Sequence, residues 1–295
     1  MSTHAEPLIH YLRQLEAQGQ THISVDDEAR RILRAFYLRT RNKNNPTQNT
    51  APDVQSTSAL PVQQAISKNS EPAQEVKAAA TASLKISGSS PQEQIDSLRT
   101  QAAQWEPACQ LKSLRQTMVF STGNPQADVM LVGEAPGYDE ERLQEPFVGK
   151  AGQKLNDILR AMGIERKETY ISNIVKFRPA MPNQTTNNRK PSAEEMASCI
   201  PFIEQEVKIV QPKVIIALGG TAAQALLDCE LAVSRMRGQF HTYQNIPLRV
   251  TYHPSYILHN GQTSEKRKLW EDMLEVMKFL NMPISEKQQS FFLPK

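Results

Sequence analysis

Two apolar runs that each end in glycine, Asp128–Gly133 and Lys213–Gly219, constrain this chain more than any other feature of its sequence. A strand that is apolar on both faces has to be covered on both faces, as in the parallel sheet of an α/β domain. Around the two runs the apolar period changes to that of helices. Leu155, Ile158, Leu159 and Met162 recur at helical spacing and stop at Gly163, a glycine cap. Ser192 with Glu195 forms a capping box, and Met196, Ile200, Ile203 and Val207 mark the buried side of the helix it opens. Met118–Phe120, Thr169–Val175 and Leu248–Tyr252 read as further strands, and Thr221–Leu227 and Ser264–Leu280 as further helices. This alternation over residues 94–282 predicts an α/β sandwich around a mostly parallel sheet. Ligands of such sheets bind outside the carboxyl ends of the strands. The segments after Val132, Val175, Gly219 and Tyr252 are therefore where a site is expected.

The remainder of the chain reads differently. In residues 1–37, Leu8, Tyr11, Leu12 and Leu15 share one helical face, and Ser24–Ala29 resembles a second helix start. These pieces are too small for an independent domain and are read either as a docking hairpin for an unidentified protein partner or as a loose extension. Residues 38–93, rich in Asn, Gln, Ser, Thr, Ala and Pro, are expected to be a disordered linker, because no aromatic occurs between Tyr37 and Trp105 to offset the ordering entropy. Residues 283–295 are read as a tail. Of the 295 residues, 39% are hydrophobic, and no run approaches a membrane span. No secretory signal opens the chain. Three dispersed cysteines, Cys109, Cys199 and Cys229, make no disulfide framework, and a cytoplasmic location is expected. A net charge of +3 permits a nucleic-acid partner without arguing for one.

Several residues at the expected strand ends can carry chemistry, and each also has a plain structural reading. After the first run comes Gly133-Glu134-Ala135-Pro136-Gly137, with Asp139, Glu140 and Glu141 close behind. A carboxylate there can orient water or stabilise a cation, or the segment is a solvated loop. Phe147, in a Pro-Phe-Val-Gly turn, presents an aromatic face or packs in the core. Asn173 interrupts an apolar strand, and its amide suits a ligand edge with one donor and one acceptor, or it is a satisfied strand-end residue. His253, released by Pro254 at the end of the last strand, can donate to a developing oxyanion as a neutral imidazole, or is structural.

Taken in order, Gly133–Gly137, Pro146–Gly152, Tyr170–Lys176, Lys213–Gly219 and His253–Tyr256 resemble the family 4 branch of the uracil-DNA glycosylase superfamily, over about residues 105–280. The resemblance implies a three-layer α/β/α sandwich that hydrolyses the N-glycosidic bond of uracil in DNA, the start of base excision repair. It implies roles by position. Glu134, or secondarily Glu140, would hold the attacking water, and Phe147 would stack on the flipped base. Asn173 would read the edge of uracil, and His253 would meet the base oxygen as charge develops. Gly133, Ala135, Pro136, Gly137 and Ser255 would line the base pocket. Ile257 lies where the family's wedge residue enters the vacated stack, with Pro254 beside it on the DNA.

The chain departs from the family in three places. Of the four cysteines that bind the family's 4Fe-4S cluster, Cys109 and Cys199 are matched, whereas Glu106 and Phe177 replace the other two. A cluster needs about four thiolates, so no cofactor is expected, and Phe177 is expected to fill the space by packing with Leu111 or Leu114. Gln144 stands where the family usually has Gly. The loop Pro179–Pro191 is longer than usual; its Arg189 and Lys190 either touch DNA phosphates or are plainly solvated. No histidine lies between His22 and His241, so the covalent-trapping chemistry of related glycosylases is not expected. The competing class is a binding module that has lost catalysis and holds DNA or a replication partner; retention of Glu134, Phe147, Asn173 and His253 argues for the enzyme. A monomer acting on uracil-containing DNA, with no membrane association, is expected.

Overall fold

The structure, a computed structural model, describes residues 84–293. The helices expected in residues 5–37 and most of the expected linker lie outside the described residues. The order of elements is α1 (Pro91–Ala102), α2 (Glu106–Cys109), β1 (Leu114–Met118), β2 (Thr122–Gly123) and β3 (Val129–Gly133), then α3 (Tyr138–Leu143), α4 (Lys150–Met162), β4 (Tyr170–Asn173) and β5 (Phe177–Pro179). There follow α5 (Ala193–Val210), β6 (Val214–Leu218), α6 (Gly220–Leu227), α7 (Val233–Met236), β7 (Phe240–Tyr243), β8 (Ile246–Thr251), α8 (Pro254–His259), α9 (Thr263–Phe279) and α10 (Glu286–Ser290).

Six strands form one sheet in the order β2-β4-β3-β6-β8-β7. The central pairs β3–β4, β3–β6 and β6–β8 are parallel, and the edge strands β2 and β7 run antiparallel to their neighbours. Period-2 alternation divides each central strand between two cores. Met130, Val132, Ile215, Ala217, Leu248 and Val250 face a cluster completed by Ile95 and Leu98 of α1, Phe202, Ile203 and Val207 of α5 and Ala223 of α6. Val129, Leu131, Ile171, Val214, Ile216 and Leu218 face the opposite cluster, filled by Leu155 and Leu159 of α4 and by Trp270, Met273 and Met277 of α9. Helices thus cover both faces, giving the three-layer sandwich, and the two glycine-terminated runs form adjacent central strands.

Differences from the sequence reading have local causes. The strand expected at Met118–Phe120 starts earlier: β1 pairs with β5 in a separate antiparallel ribbon, with Met118 opposite Phe177, and Phe120 leaves the ribbon for the core. The edge strand β7 was not expected, because its residues alternate between exposed and half-buried and carry no apolar run. It turns into β8 through Gln244 and Asn245, both at positive φ (48° and 65°), a hairpin signal weaker in sequence than Asn-Gly. The ordered unit also begins before residue 94. Leu84 and Ile86 pack against the core, and Ser90 and Glu93 form the capping box of α1. At the other end, residues 283–293 are not a free tail. Trp270 Nε1 donates to the Gln288 carbonyl at 2.6 Å, and Phe291 packs on Trp270 with ring centroids 5.3 Å apart.

Candidate functional site

A cleft of about 650 Å³ opens at the carboxyl ends of β3, β4, β6 and β8. Parallel pairing puts Gly133 directly opposite Asn173, and the chain leaving β3 stays alongside: the Ile174 and Val175 amides donate to the carbonyls of Gly133 and Glu134 at 3.0 and 3.1 Å. Gly133 is required by close approach, since a Cβ there would collide with both the Asn173 side-chain oxygen and the Phe147 ring. Asn173 is only 3% exposed. Among the described residues nothing hydrogen-bonds its side-chain amide, although that amide lines the cleft. The amide opens on the cleft, so both its donor and its acceptor are free for whatever enters there.

Phe147 forms the adjoining wall. It adopts φ 55°, unusual for an aromatic residue, and a Cβ on Gly152 would strike its carbonyl, so glycine is needed under this turn. Its ring lies 5.6 Å from that of His253 at 31°. His253 caps α8: the Ser255 backbone N–H donates to Nδ1 at 3.2 Å, and the Ser255 hydroxyl lies 2.7 Å from the same atom. Nδ1 is therefore the acceptor, and the proton of the neutral ring sits on Nε2. Burial holds the imidazole pKa down, from 6.5 to about 4, so the ring is neutral at pH 7. A Cβ on Gly219, which has φ +92°, would press on the His253 Cβ, so glycine at the end of β6 makes room for this ring.

The two acidic candidates differ. Glu134 lines the cleft and accepts from the Thr221 hydroxyl at the start of α6. Glu140 has its carboxylate occupied: it accepts from the backbone amides of Gly137 (3.2 Å), Val148 (3.2 Å) and Gly149 (2.9 Å). It therefore braces the Gly133–Gly137 turn against the Phe147 turn. Gln144, in place of the usual glycine, takes φ 55° and so follows the left-handed path glycine would take.

Three residues expected on DNA are placed otherwise. Ile257 is 6% exposed and sits in the core with Trp270 and Leu269, because the turn of α8 directs it inward; Tyr256 and Leu258 are the exposed side chains there. Pro254 is buried at the first turn of α8. Arg189 uses its whole guanidinium internally, donating to the carbonyls of Ala180, Lys190 and Ser113 and to both oxygens of Glu195. It pins the loop 179–191. Lys190 is exposed, lines the cleft and makes no side-chain bond among the described residues. Ala135, Pro136, Gly137 and Ser255 line the cleft. The sequence reading missed Asn188, Thr221 and Tyr252, which line it too. Asn188 sat in a loop read only as polar, and its Oδ1 accepts from buried Arg178 at 3.0 Å.

A family model described as the uracil DNA glycosylase superfamily matches residues 120–274, the span from the end of the β1 ribbon into α9. The chain belongs to the uracil DNA glycosylase superfamily. It is similar to the type-4 uracil-DNA glycosylase of Thermotoga maritima, 37% identical over 178 residues, covering 59% of this chain and 88% of that protein. It is 35% identical to the type-4 uracil-DNA glycosylase of Archaeoglobus fulgidus over 54% of this chain and 80% of that protein. It is also similar to a type-5 uracil-DNA glycosylase of Pyrobaculum aerophilum, 27% identical over 45% of this chain and 63% of that protein.

The superfamily resemblance raises the question of the 4Fe-4S cluster, and the donor set in this chain does not fit one. Phe177 is 2% exposed and lies in the same apolar cluster as Leu114, Trp105, Ala108, Cys199 and Phe202, with Leu111 packed against it. Trp105 donates to the Ser198 carbonyl at 2.7 Å and meets Phe202 edge-on at 5.2 Å, tying α2 to α5. Cys199 is buried in this cluster, with its Sγ 3.6 Å from the Ser198 hydroxyl. Cys229 contacts Met236 Sδ at 3.5 Å. Among the described residues no group of three or more His, Cys, Asp or Glu is arranged to hold a metal ion. No described helix is long and apolar enough to cross a membrane.

Proposed function

We propose that this chain is a uracil-DNA glycosylase that takes uracil flipped out of DNA into the cleft and hydrolyses its N-glycosidic bond, initiating base excision repair. The observation that carries the reading is Asn173: a side chain only 3% exposed whose amide opens on the cleft without a protein partner, beside an aromatic wall. Uracil presents O4 as an acceptor and N3–H as a donor, and one carboxamide meets both. Cytosine presents the reverse pattern and is refused by the same orientation. Flipping costs a few kcal/mol, and stacking on Phe147 returns about 1–3 kcal/mol.

As the bond breaks, negative charge gathers on the uracil oxygens and positive charge on the sugar. His253 meets the first with Nε2–H; as its pKa is near 4, it donates without becoming a cation that would itself be stabilised in the ground state. Glu134, held by the Thr221 hydroxyl, meets the second and orients the attacking water. Glu140 and Ser255 position Phe147 and His253. The exposed Lys190 contacts phosphate, and Tyr256 or Leu258, in place of Ile257, faces the duplex. The protein works without an iron–sulfur cluster, as a cytoplasmic monomer.

The test is release of free uracil from a single-uracil oligonucleotide under single-turnover conditions by the native protein and by Asn173→Ala. Rapid release by the native protein and loss of release, with DNA binding kept, in the variant is the expected pair of results. No release by the native protein overturns the reading.

A further inference from the structure

Behind Asn173, where α5 packs on β4, lies a set of charged side chains that the proposed chemistry does not use. Lys176 and Glu206 are both completely buried and paired at 2.7 Å. Lys176 Nζ also donates to the Ser172 hydroxyl at 2.5 Å and to the backbone carbonyl of Asn173 at 3.0 Å. Glu206, on α5, accepts from Tyr170 OH at 3.1 Å and from Ser172 Oγ at 2.9 Å. Tyr170 OH in turn meets Ser121 Oγ at 2.5 Å. Burial, reinforced by the Glu206 charge, pushes the Tyr170 phenol pKa well up, so it remains a donor. Every donor on the ammonium is used.

Two things set this cluster apart from ordinary packing. Replacing a buried ion pair by apolar side chains of similar volume is often neutral or favourable for stability, so stability alone does not account for it. Its contacts also converge on one strand. Tyr170, Ser172 and, through Lys176, the carbonyl of Asn173 are all fastened to a single carboxylate on α5. The amide of Asn173 is itself held by no protein hydrogen bond among the described residues, so its placement rests on the backbone that carries it.

We infer that Glu206 and Lys176 are positioning residues for base recognition: they lock the end of β4 so that the unpartnered Asn173 amide stands ready for the uracil edge. The inference rests on the reading of Asn173 given above. A displacement of about 1 Å in a reacting or recognising group can cost on the order of 100-fold in rate.

The test replaces the pair together, Lys176→Met with Glu206→Leu, because either change alone strands a buried charge. Unfolding, DNA affinity and the single-turnover rate at saturating enzyme are measured in the native and in the Asn173→Ala background. The expected result is a cooperatively folded protein with DNA affinity within about twofold of native and a rate about 10–100-fold lower. On the Asn173→Ala background the same pair of changes lowers the rate by less than about twofold, because residues acting through one another are not additive. A native rate in the folded double variant overturns the inference, and so does an equal loss on the Asn173→Ala background, which marks a purely structural role. If the double variant does not fold, Ser172→Ala, which keeps the charges paired, gives the same comparison: a loss of about threefold that vanishes on the Asn173→Ala background supports the inference, and an unchanged rate overturns it. Asn173→Ala excising as fast as the native protein is a different outcome, which defeats the reading of the site itself.

Discussion

The cleft around Asn173 and the corner around Phe177 lie four residues apart on one stretch of chain, and they treat their side chains in opposite ways. In the cleft, glycines at 133, 152 and 219 clear space, and the polar groups of Asn173 and His253 are left facing the opening. In the corner, Trp105, Leu114, Phe177, Cys199 and Phe202 close on one another with little exposed. The Asn173 amide is left without a protein partner among the described residues, while the corner around Phe177 is filled by apolar surface. The contrast predicts that changes in the corner act on stability and changes in the cleft act on rate.

The largest expected effect is in the corner. Phe177→Ala empties a buried aromatic site and should lower stability by about 3–5 kcal/mol. Denaturant unfolding measures this, and the excision rate per folded molecule should stay near native. A rate collapse in protein that remains folded would break the division between the two regions.

Next is the cleft. His253→Ala should slow single-turnover excision by about 10²–10³-fold, the size seen on removing one oxyanion donor, with DNA affinity nearly unchanged because phosphate contacts supply most of it. The pH dependence sharpens this. The folded His253 pKa is near 4, below its ordinary 6.5, so the unfolded chain binds the extra proton first as pH falls. Stability contributed by the neutral ring is full above about 6.5 and drains away as pH falls toward 4. The acid limb of excision set by His253 should likewise lie near pH 4, as a pH–rate profile in the native protein would reveal.

How much of this was legible in sequence depended on the kind of signal. The glycine-terminated apolar runs place β3 and β6 within a residue or two, because burial on both faces leaves little else for them to be. Gly133, Asn173 and His253 fall at strand ends by the same logic, and register makes two of them direct neighbours. Ile257 could not be placed: motif position gives its place in the chain, but the direction of its side chain is set by a short helix that Pro254 starts. Arg189 read as a free cation because its five internal partners come from Ser113, Ala180, Lys190 and Glu195, some of them remote in sequence. Glu206 carries no apolar signal of its own beside Ile203 and Val207, and only the packing of α5 on β4 reveals that it is buried.

A smaller effect tests where the ordered unit starts. Removing residues 1–83 should leave unfolding cooperative and activity intact. Removing residues 1–93 also deletes Leu84, Ile86 and the Ser90 cap of α1. It should cost about 2–3 kcal/mol more, about 1 from the cap and the rest from lost burial, as the difference in denaturation midpoint between the two truncations would show.

The smallest effects separate two neighbouring cations. Lys190→Ala should weaken DNA binding by about 1 kcal/mol or less and reduce the salt slope by about one. Arg189→Ala should instead lower stability, since it releases Glu195, which is wholly buried. Affinity measured against salt concentration, beside thermal unfolding of each variant, distinguishes them.

The central claim is that the cleft works while the corner is closed by packing instead of by a cluster. The most direct measurement is iron per chain in anaerobically purified protein from the same preparation that excises uracil. The account predicts colourless, active protein with no stoichiometric iron. Brown protein with about four irons per chain, the content of one 4Fe-4S cluster, would contradict it.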